Sequence, residues 1–220
     1  MVSHGFTRRK ADQTLFIKKE DDKLTVAQVY VNDIIFRSTK DELAHNFSKL
    51  MQAKFKMSMI GELNHFLRLQ IHQQESGIFL SQSKYAKNLV KKFGLKSTSS
   101  VRTPISPNVK FIVDLLGKSV NSFIYRSMIG GLLYLTASRP NISYSVGVCA
   151  KYQANLKEYH MITLKRIIKY VKSTADFDVW YSKDTNDVLA GYFNADWAEN
   201  ANDRKSTLGG CFYVGNNLVS

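Results

Sequence analysis

The sequence predicts an α+β fold, and two observations lead to that prediction. Short runs rich in β-branched and aromatic residues lie towards both ends of the chain, bounded by turn-forming residues. Between them lie longer segments whose apolar residues recur with the period of an amphipathic helix. Strands and helices grouped in this way, rather than alternating, are typical of α+β architectures. Because 44% of the 220 residues are hydrophobic, the chain can also bury a substantial core.

The N-terminal third predicts an antiparallel sheet followed by a helix. Strands are expected over 14–19, 24–31 and 34–37. Ser38 or Thr39 is predicted to cap a helix that runs to about Met51. Its apolar residues fall on one side of the helix, namely Leu43, Phe47, Leu50 and Met51. Beyond the helix, further strands are expected over 54–60, 63–72 and 78–80.

The remaining two thirds predict a helical region and a second group of strands. Ser81 or Ser83 opens a helix that ends at Gly94, a residue type favoured just after helices. Residues 96–110 contain Thr103-Pro104 and Ser106-Pro107 and predict a linker. The expected later elements are helices over 122–137, 140–153 and 157–173, then strands over 177–181, 188–193 and 207–214.

The chain is strongly basic, with a net charge of +13 and a pI near 9.7. Such an excess favours a polyanionic partner, of which nucleic acid is the commonest, although a solvated basic surface is the alternative. Two helices carry lysines at helical spacing beside an apolar stripe, which could follow a phosphate backbone. The candidate nucleic-acid-binding lysines are Lys84, Lys87, Lys91, Lys165, Lys169 and Lys172.

Cysteine usage and hydropathy predict a soluble intracellular protein. Cys149 and Cys211 are too few for a disulfide framework or a zinc site, and we expect both to be small core residues in a reducing compartment. No apolar run approaches the roughly 20 residues of a membrane span, and the N-terminus lacks a secretory signal pattern. His65 and His72 fall in one predicted strand with odd spacing, so we expect them on opposite faces without a shared metal.

The segment Val29-Tyr30-Val31-Asn32-Asp33-Ile34-Ile35-Phe36 predicts a hairpin with a polar tip. Asn32 and Asp33 both favour tight turns and separate two β-rich runs. Carboxylates at a hairpin tip can hold divalent metal, and phosphoryl transfer commonly uses two metals about 3.5–4 Å apart. Here Asp33 is the one carboxylate at the tip, and Asn32 cannot neutralise a cation.

Other acidic residues are candidates for completing such a site. Asp21 and Asp22 are excluded, because they are expected at the far end of the hairpin, about 30 Å from the tip at roughly 3.3 Å per residue. Asp12 falls opposite Val31 if the first two strands pair symmetrically about the turn at 20–22. Asp12 is then either a metal ligand or an ordinary aspartate at a strand edge.

Six phrases, taken together in this order and spacing, resemble the Pol polyprotein of plant copia-type retrotransposons. They are Tyr30-Val31-Asn32-Asp33-Ile34-Ile35-Phe36, Gly61-Glu62-Leu63, Gly77-Ile78-Phe79-Leu80-Ser81-Gln82-Ser83-Lys84-Tyr85, Tyr125-Arg126-Ser127-Met128-Ile129-Gly130, Leu133-Tyr134-Leu135-Thr136-Ala137-Ser138-Arg139-Pro140-Asn141-Ile142, and Ala195-Asp196-Trp197-Ala198 followed by Asp203-Arg204-Lys205-Ser206-Thr207. The resemblance covers nearly the whole chain.

The resemblance implies a reverse transcriptase palm, thumb and connection followed by the start of ribonuclease H. The partial palm would consist of a β-hairpin sheet with helices, the thumb and connection would be helical, and the first strands of a ribonuclease H-like sheet would follow. The implied segments are 1–75 (C-terminal palm), 76–100 (thumb), 101–180 (linker and connection) and 181–220 (ribonuclease H). The fingers and the first palm strand, with its further metal-binding aspartate, would precede Met1.

The family's hairpin contains Tyr-Val-Asp-Asp, so the resemblance implies that Asp33 is a surviving metal ligand and Asn32 stands where an aspartate is lost. Tyr30 would lie against nucleic acid. The ribonuclease H phrase of the family opens with Ser-Asp-Ala-Asp-Trp, so Asn194 occupies the position of its first aspartate. Asp196 is on the same strand face and could reach metal, or is a solvated surface residue.

These observations together predict a fragment of a copia-type reverse transcriptase that is catalytically inactive by itself. The parent activity would be RNA-directed DNA polymerisation with ribonuclease H, in the cytoplasm or a virus-like particle. The implied cofactor is Mg²⁺, not bound productively here, and the implied partner is an RNA/DNA template–primer. Neither a membrane nor a small-molecule cofactor is expected, and the oligomeric state is not indicated. The alternatives are a non-catalytic nucleic-acid-binding module and a decayed open reading frame without function.

Overall fold

The computed structural model describes residues 1–106, 117–154, 156–195, 206 and 208–219. These residues form an α+β structure with three small antiparallel sheets and five α-helices in the described ranges. The chain divides into two compact units, Met1–Leu63 and Asn64–Ser220. None of the helices that the structure describes has the length and apolar character needed to cross a membrane.

The first unit is a four-stranded sheet with one helix on one of its faces. The strands pair in the order β1-β2-β3-β4. Their bounds are β1 Thr7–Arg8, β2 Leu15–Glu20, β3 Lys23–Tyr30 and β4 Asp33–Ser38, and helix α1 spans Asp41–Lys54. Aromatic side chains join the helix to the sheet, because the ring of Phe47 lies 4.7 Å from that of Phe36 and 5.4 Å from that of Phe6. Ala27 and Met51 complete this small core.

Two sequence predictions fail in this unit. The cap of α1 is Lys40 rather than Ser38 or Thr39. The sheet uses both hydroxyls, because Ser38 Oγ is 2.9 Å from Thr25 Oγ1 and Thr39 Oγ1 accepts from the Leu24 amide. The strand predicted over 54–60 is also absent, since α1 continues to Lys54 and the residues after it have no pairing partner among the described strands. An alternating pattern cannot form a strand without a neighbouring strand to bond.

The described residues of the second unit form two sheets and four α-helices. The sheet orders are β5-β6-β7-β8 and β11-β10-β9. The strands are β5 His65–Phe66, β6 Leu69–Gln74, β7 Gly77–Ser81, β8 Val179–Ser182, β9 Leu189–Ala195, β10 Leu208–Val214 and β11 Asn217–Leu218. The helices are α2 Ser83–Lys92, α3 Ser122–Leu135, α4 Pro140–Lys151 and α5 Glu158–Ser173.

The four helices of the second unit bury its main core. Buried side chains come from every one of them, for example Leu89, Leu132, Val146 and Leu164. Gly131 of α3 allows the close approach of α2, since a Cβ there would lie 2.5 Å from Leu89 Cδ1. Each helix alone is short for stability in water, so this shared apolar core is what holds them.

The predicted strand over 63–72 is instead a hairpin. β5 and β6 pair His65 with Gln70, and the loop residues Leu67 and Arg68 have φ of 47° and 62°. Neither is a residue type that favours the left-handed region, so these positions carry no turn signal. Tertiary contacts hold this turn instead: Tyr134 Oη donates to the Leu67 carbonyl, and the Arg68 guanidinium lies 5.5 Å from the Tyr85 ring centroid.

The hairpin corrects the prediction for the two histidines. His65 pairs with Gln70, and His72 lies two residues further along β6. Side chains at positions i and i+2 of a strand share a face, as do directly paired residues. His65 and His72 therefore lie on the same face of the sheet as diagonal neighbours, not on opposite faces.

The two cysteines are both free, and they differ in burial. Cys149 is fully buried in the helical core, as expected. Cys211 is only partly buried, on β10 of a three-stranded sheet, so the prediction that it is a core residue is wrong. The sheet that carries it has exposed aromatic side chains on both faces, including Tyr192 and Phe193.

Candidate functional site

The predicted polar tip is the two-residue loop between β3 and β4. Tyr30 pairs with Asp33, so Val31 and Asn32 are the loop residues, one position earlier than the predicted turn at Asn32-Asp33. Val31 is 82% exposed and has a φ of 52°. The right-handed twist of hairpins favours positive φ at the first loop position, where glycine is usual. Here a β-branched residue adopts it, so the tip is strained.

Asp33 is the first residue of β4 and lies on the sheet face opposite α1. Ile34 and Phe36 face the core with Ala27, and the strand alternation places Asp33 and Tyr30 on the other face. Both side chains are exposed. The hairpin therefore presents one carboxylate and one phenol to solvent beside the amide of Asn32.

Strands β2 and β3 have the register that the sequence predicted, but Asp12 precedes their paired residues and its carboxylate forms local hydrogen bonds. Leu15 pairs with Gln28 and Glu20 with Lys23, which confirms symmetrical pairing about the turn. Asp12 Oδ1 accepts from the Thr14 hydroxyl at 2.6 Å and the Thr14 amide at 2.8 Å. These bonds lower the pKa of Asp12 below its usual value. Its other oxygen accepts from Gln28 Nε2 at 3.3 Å, so Asp12 closes a turn at the start of β2.

The described residues do not fit a pair of magnesium ions. Asp21 and Asp22 form the β2–β3 turn at the opposite end of the hairpin, as predicted. Within the described ranges, no group of three His, Cys, Asp or Glu side chains comes close enough together to hold a metal ion. Mg²⁺ prefers several oxygen ligands in near-octahedral geometry. Asp33 alone does not supply them, so the hairpin by itself cannot hold the cations of a two-metal site.

The second predicted metal site includes Asn194, on the three-stranded sheet of the second unit. Asn194 belongs to β9, pairs with Gly209 of β10, and is exposed. Its amide can accept hydrogen bonds but brings no negative charge. Asp196, predicted as a possible metal ligand, lies outside the described residues.

The α2 lysines lie on the exposed side of that helix. Lys84, Lys87 and Lys91 are all exposed, while Ala86, Leu89 and Val90 enter the core. Lys87 Nζ forms an ion pair with Asp176 Oδ1 at 2.5 Å. In the described part of the chain there is one other ion pair, between Lys18 and Glu20. Most of the positive charge therefore has no acidic neighbour among these residues.

The α5 lysines differ from one another in environment. Lys165 is exposed and Lys169 is half-buried. Lys172 Nζ donates to the Thr98 carbonyl at 2.6 Å, so this ammonium group holds the segment that follows α2. Arg166, which the lysine pattern does not single out, donates to both the carbonyl and the hydroxyl of Thr103. No spacing rule links residues this far apart, so only the fold could reveal the contact.

Arg139 is a second residue whose contacts no sequence pattern predicts. It is 1% exposed, and its guanidinium donates to Thr174 Oγ1 at 3.1 Å and the Ala175 carbonyl at 2.7 Å. Burial lowers the pKa of Arg139, and nearby acidic residues, first Asp178, oppose that shift. The side chain ties the start of α4 to the end of α5, which is a structural role.

The family profile described as "Reverse transcriptase (RNA-dependent DNA polymerase)" matches residues 1–107. The Pol polyprotein from transposon RE1 of Arabidopsis thaliana is 29% identical over the whole chain, which spans 15% of that relative. An uncharacterized mitochondrial protein of the same plant is 31% identical over 87% of this chain and 80% of its own length. The chain belongs to the copia-type retrotransposon Pol family.

Within that family, the similarity extends to other plants. The Pol polyprotein from transposon TNT 1-94 of Nicotiana tabacum is 24% identical, and the alignment covers all of this chain and 17% of that relative. Residues 1–107 thus correspond to part of the reverse transcriptase region, and the chain spans about a sixth of the length of these polyproteins. No solved structure matches the chain.

Proposed function

We propose that this chain is a fragment of a copia-type reverse transcriptase and does not polymerise DNA by itself. In the whole polyprotein the activity would be RNA-directed DNA polymerisation with ribonuclease H. We assign 1–75 to the C-terminal palm, 76–100 to the thumb, 101–180 to the linker and connection, and 181–220 to the start of ribonuclease H. This assignment rests on the six sequence motifs, which occur in the family's order, and on the reverse transcriptase match over 1–107.

The observation that supports inactivity is that Asp33 has no acidic cluster around it among the described residues. The neighbouring loop residue is the amide Asn32, and Asp12 is bonded to Thr14 and Gln28. Two-metal phosphoryl transfer requires several anionic ligands to neutralise the cations and fix their geometry. Loss of one such electrostatic contribution typically costs about 3–4 kcal/mol of transition-state stabilisation. A lone carboxylate on an exposed hairpin does not assemble this site.

The proposal is tested by primer extension on an RNA template with Mg²⁺ or Mn²⁺. The full chain, its Asn32→Asp variant and its Asp33→Asn variant are compared with an active reverse transcriptase. We expect no nucleotide incorporation by the first and third proteins. Asn32→Asp should tighten Mn²⁺ binding, seen as paramagnetic broadening of hairpin resonances, because two adjacent carboxylates then face one cation. Incorporation by the unaltered chain that disappears in Asp33→Asn would contradict the proposed inactivity.

A second candidate function is a non-catalytic nucleic-acid-binding module. The observation that favours it is the excess of 31 basic over 18 acidic side chains, with two ion pairs among the described residues. Lys84 and Lys91 are exposed on α2, where a phosphate backbone could reach both. In this case binding would persist without any metal-dependent chemistry, because phosphate neutralisation alone supplies the affinity.

Binding to an RNA–DNA hybrid at a series of salt concentrations tests this function. Replacing Lys84, Lys87 and Lys91 together by glutamate should weaken binding and reduce the salt dependence by about 0.9 in log–log slope per lost contact. The matched control replaces Lys40, Lys49 and Lys54, which are exposed in the first unit and give the same change in net charge. Equal losses in both triple variants would show a general charge effect and exclude α2 as the binding surface.

A further inference from the structure

Residues 98–103, which follow α2, lie along α5 and are held there by three side chains. We call residues 98–103 the strap. Its carbonyl groups accept from Lys172 Nζ at Thr98, from Ser173 Oγ at Val101 (3.0 Å), and from Arg166 Nε at Thr103 (3.2 Å). The strap has no strand or helix of its own. Its position therefore depends on these side chains rather than on backbone pairing.

Thr103 has the features of a substrate for a proline-directed serine/threonine kinase. Its side chain is exposed, and Pro104 follows it directly. Proline disfavours the helical region for the residue before it, so Thr103 is predisposed to the extended conformation in which kinases bind their substrates. Because no β-ladder holds the strap, the segment can lift from α5 and enter a kinase cleft at the cost of a few side-chain hydrogen bonds.

Arg166 provides the cation that such a modification would use. Its Nη2 lies 2.9 Å from Thr103 Oγ1, and it forms no ion pair with any described residue. Lys165 and Lys169 lie within one turn of it on α5. A phosphate on this hydroxyl would place about two negative charges beside a guanidinium whose planar donors match phosphate oxygens. The present bond from a cationic guanidinium to a neutral hydroxyl would become an ion pair with the phosphate.

We propose that Thr103 is a phosphorylation site, with Arg166 as the residue that holds the phosphate and fixes the strap on α5. In the reaction, the kinase transfers the γ-phosphoryl group of ATP to Thr103 Oγ1. A bond forms between that oxygen and the γ-phosphorus, and the bond from the γ-phosphorus to the β,γ-bridging oxygen breaks. ADP leaves, and the hydroxyl proton passes to the catalytic carboxylate of the kinase.

The test treats the full chain with a proline-directed serine/threonine kinase and ATP–Mg²⁺. Intact mass and peptide mapping then identify the modified residue, and hydrogen exchange measures protection of the strap amides. We expect the unaltered chain to gain a phosphoryl group at Thr103, and Thr103→Ser to be modified at the same position. Phosphorylation should slow exchange in the strap several-fold. This slowing should be lost in Arg166→Gln and be partial in Arg166→Lys, which keeps the charge but not the planar fork.

Two results would overturn the proposal. One is no modification at Thr103 while a Thr-Pro control peptide is phosphorylated in the same tube. The other is a phosphorylated Thr103 whose strap exchanges at an unchanged or faster rate, or is slowed equally in Arg166→Gln. Thr103→Ala serves as the control for modification elsewhere. Because Thr103 is exposed, that variant is expected to fold normally.

Discussion

At the scale of single residues, a carboxylate holds a divalent cation well only when other anionic oxygens share the charge. Asp33 lacks such neighbours among the described residues, and the loop beside it is strained at Val31. A β-branched residue in the left-handed region lowers the stability of the folded chain by of order 1–3 kcal/mol, and it persists only where the surrounding structure compensates. The hairpin thus keeps an energetically unfavourable backbone conformation at Val31. The neighbouring side chain, Asn32, is an uncharged amide and adds no negative charge beside Asp33.

The buried thiol of Cys149 predicts a loss of stability at alkaline pH. Burial raises its pKa from 9.0 to about 12, against a small opposing effect of Tyr125. Above pH 9 the unfolded thiol loses its proton while the folded one keeps it, so the unfolded state binds fewer protons. The free energy of unfolding should therefore fall between pH 9 and about 12, with this group contributing up to about 1.4 kcal/mol per pH unit.

Urea unfolding at a series of pH values measures this dependence. Cys149→Ala should flatten the alkaline slope. Cys211→Ala is the matched control, because it removes a thiol that lies outside the helical core. Equal slopes in the unaltered chain and Cys149→Ala would show that the thiol does not contribute. Burial also raises the pKa of Tyr125 and Cys149 adds to that shift, so Cys149→Ala also reduces the contribution of Tyr125 to the slope.

The sequence was sufficient to predict which residues form the candidate site, but it predicted only some of their contacts. The identities of Asn32 and Asp33 were sufficient to predict a hairpin tip with one carboxylate. The predicted loop, Asn32-Asp33, was one residue too late, because both residue types favour turns. In the structure the loop is Val31-Asn32, and Val31 has the positive φ of its first position. The bond between Arg166 and Thr103 joins residues 63 positions apart, and such a contact follows from helix packing, not from local pattern.

At the scale of elements, helices were predicted more accurately than strands. α3, α4 and α5 begin within one residue of their predicted starts, because apolar periodicity and Pro140 mark them. The β5–β6 hairpin was missed, since apolar alternation continues through Leu67 and the turn depends on Tyr134 and Tyr85. A segment forms a strand only where a neighbouring strand accepts and donates its backbone hydrogen bonds. Which strands become neighbours depends on tertiary packing and cannot be seen in the local sequence.

Two adjacent glycines of α3 make the packing of α2 on α3 testable. A Cβ at Gly131 would lie 2.5 Å from Leu89 Cδ1, whereas a Cβ at Gly130 would meet nothing within 4 Å. Gly130→Ala should raise the free energy of unfolding by about 0.5–1 kcal/mol, because alanine favours the helix. Gly131→Ala gains the same propensity but must displace the buried Leu89 methyl group, a cost of about 1–3 kcal/mol.

Thermal and urea unfolding of the two variants should therefore differ in sign. A second pair of variants, in which Leu89 is also replaced by alanine, tests the cause. In that background the clash is removed, and both glycine replacements should stabilise to a similar extent. A stabilising Gly131→Ala in the unaltered chain would show that α2 is not packed against this position.

At the scale of the whole molecule, the charge of +13 predicts that salt stabilises the folded chain. Like charges repel more strongly in a compact state than in an expanded one. The two ion pairs of the described residues are exposed, so screening them costs little. Raising NaCl from about 0.05 to 0.5 M shortens the Debye length to a few ångströms. Tm should rise by about 2–4 °C per kcal/mol gained.

Differential scanning calorimetry or circular dichroism can follow this shift. KCl at the same ionic strength is the control, because screening is indifferent to the identity of a monovalent cation. A fall in Tm with either salt would mean that attractive pairs outweigh repulsion in the folded chain. The same series also shows whether the salt dependence of nucleic-acid binding is separable from that of folding.

The order of strands in the second unit has a consequence for the integrity of the backbone. β7 pairs along its length with β8, although about a hundred residues separate them in the chain. α2 also packs against α5, although about 65 residues separate the two helices in the chain. If a protease cleaved the backbone between α2 and α3, the two fragments would therefore stay associated through the β7–β8 hydrogen bonds and the apolar contacts of α2 with α5.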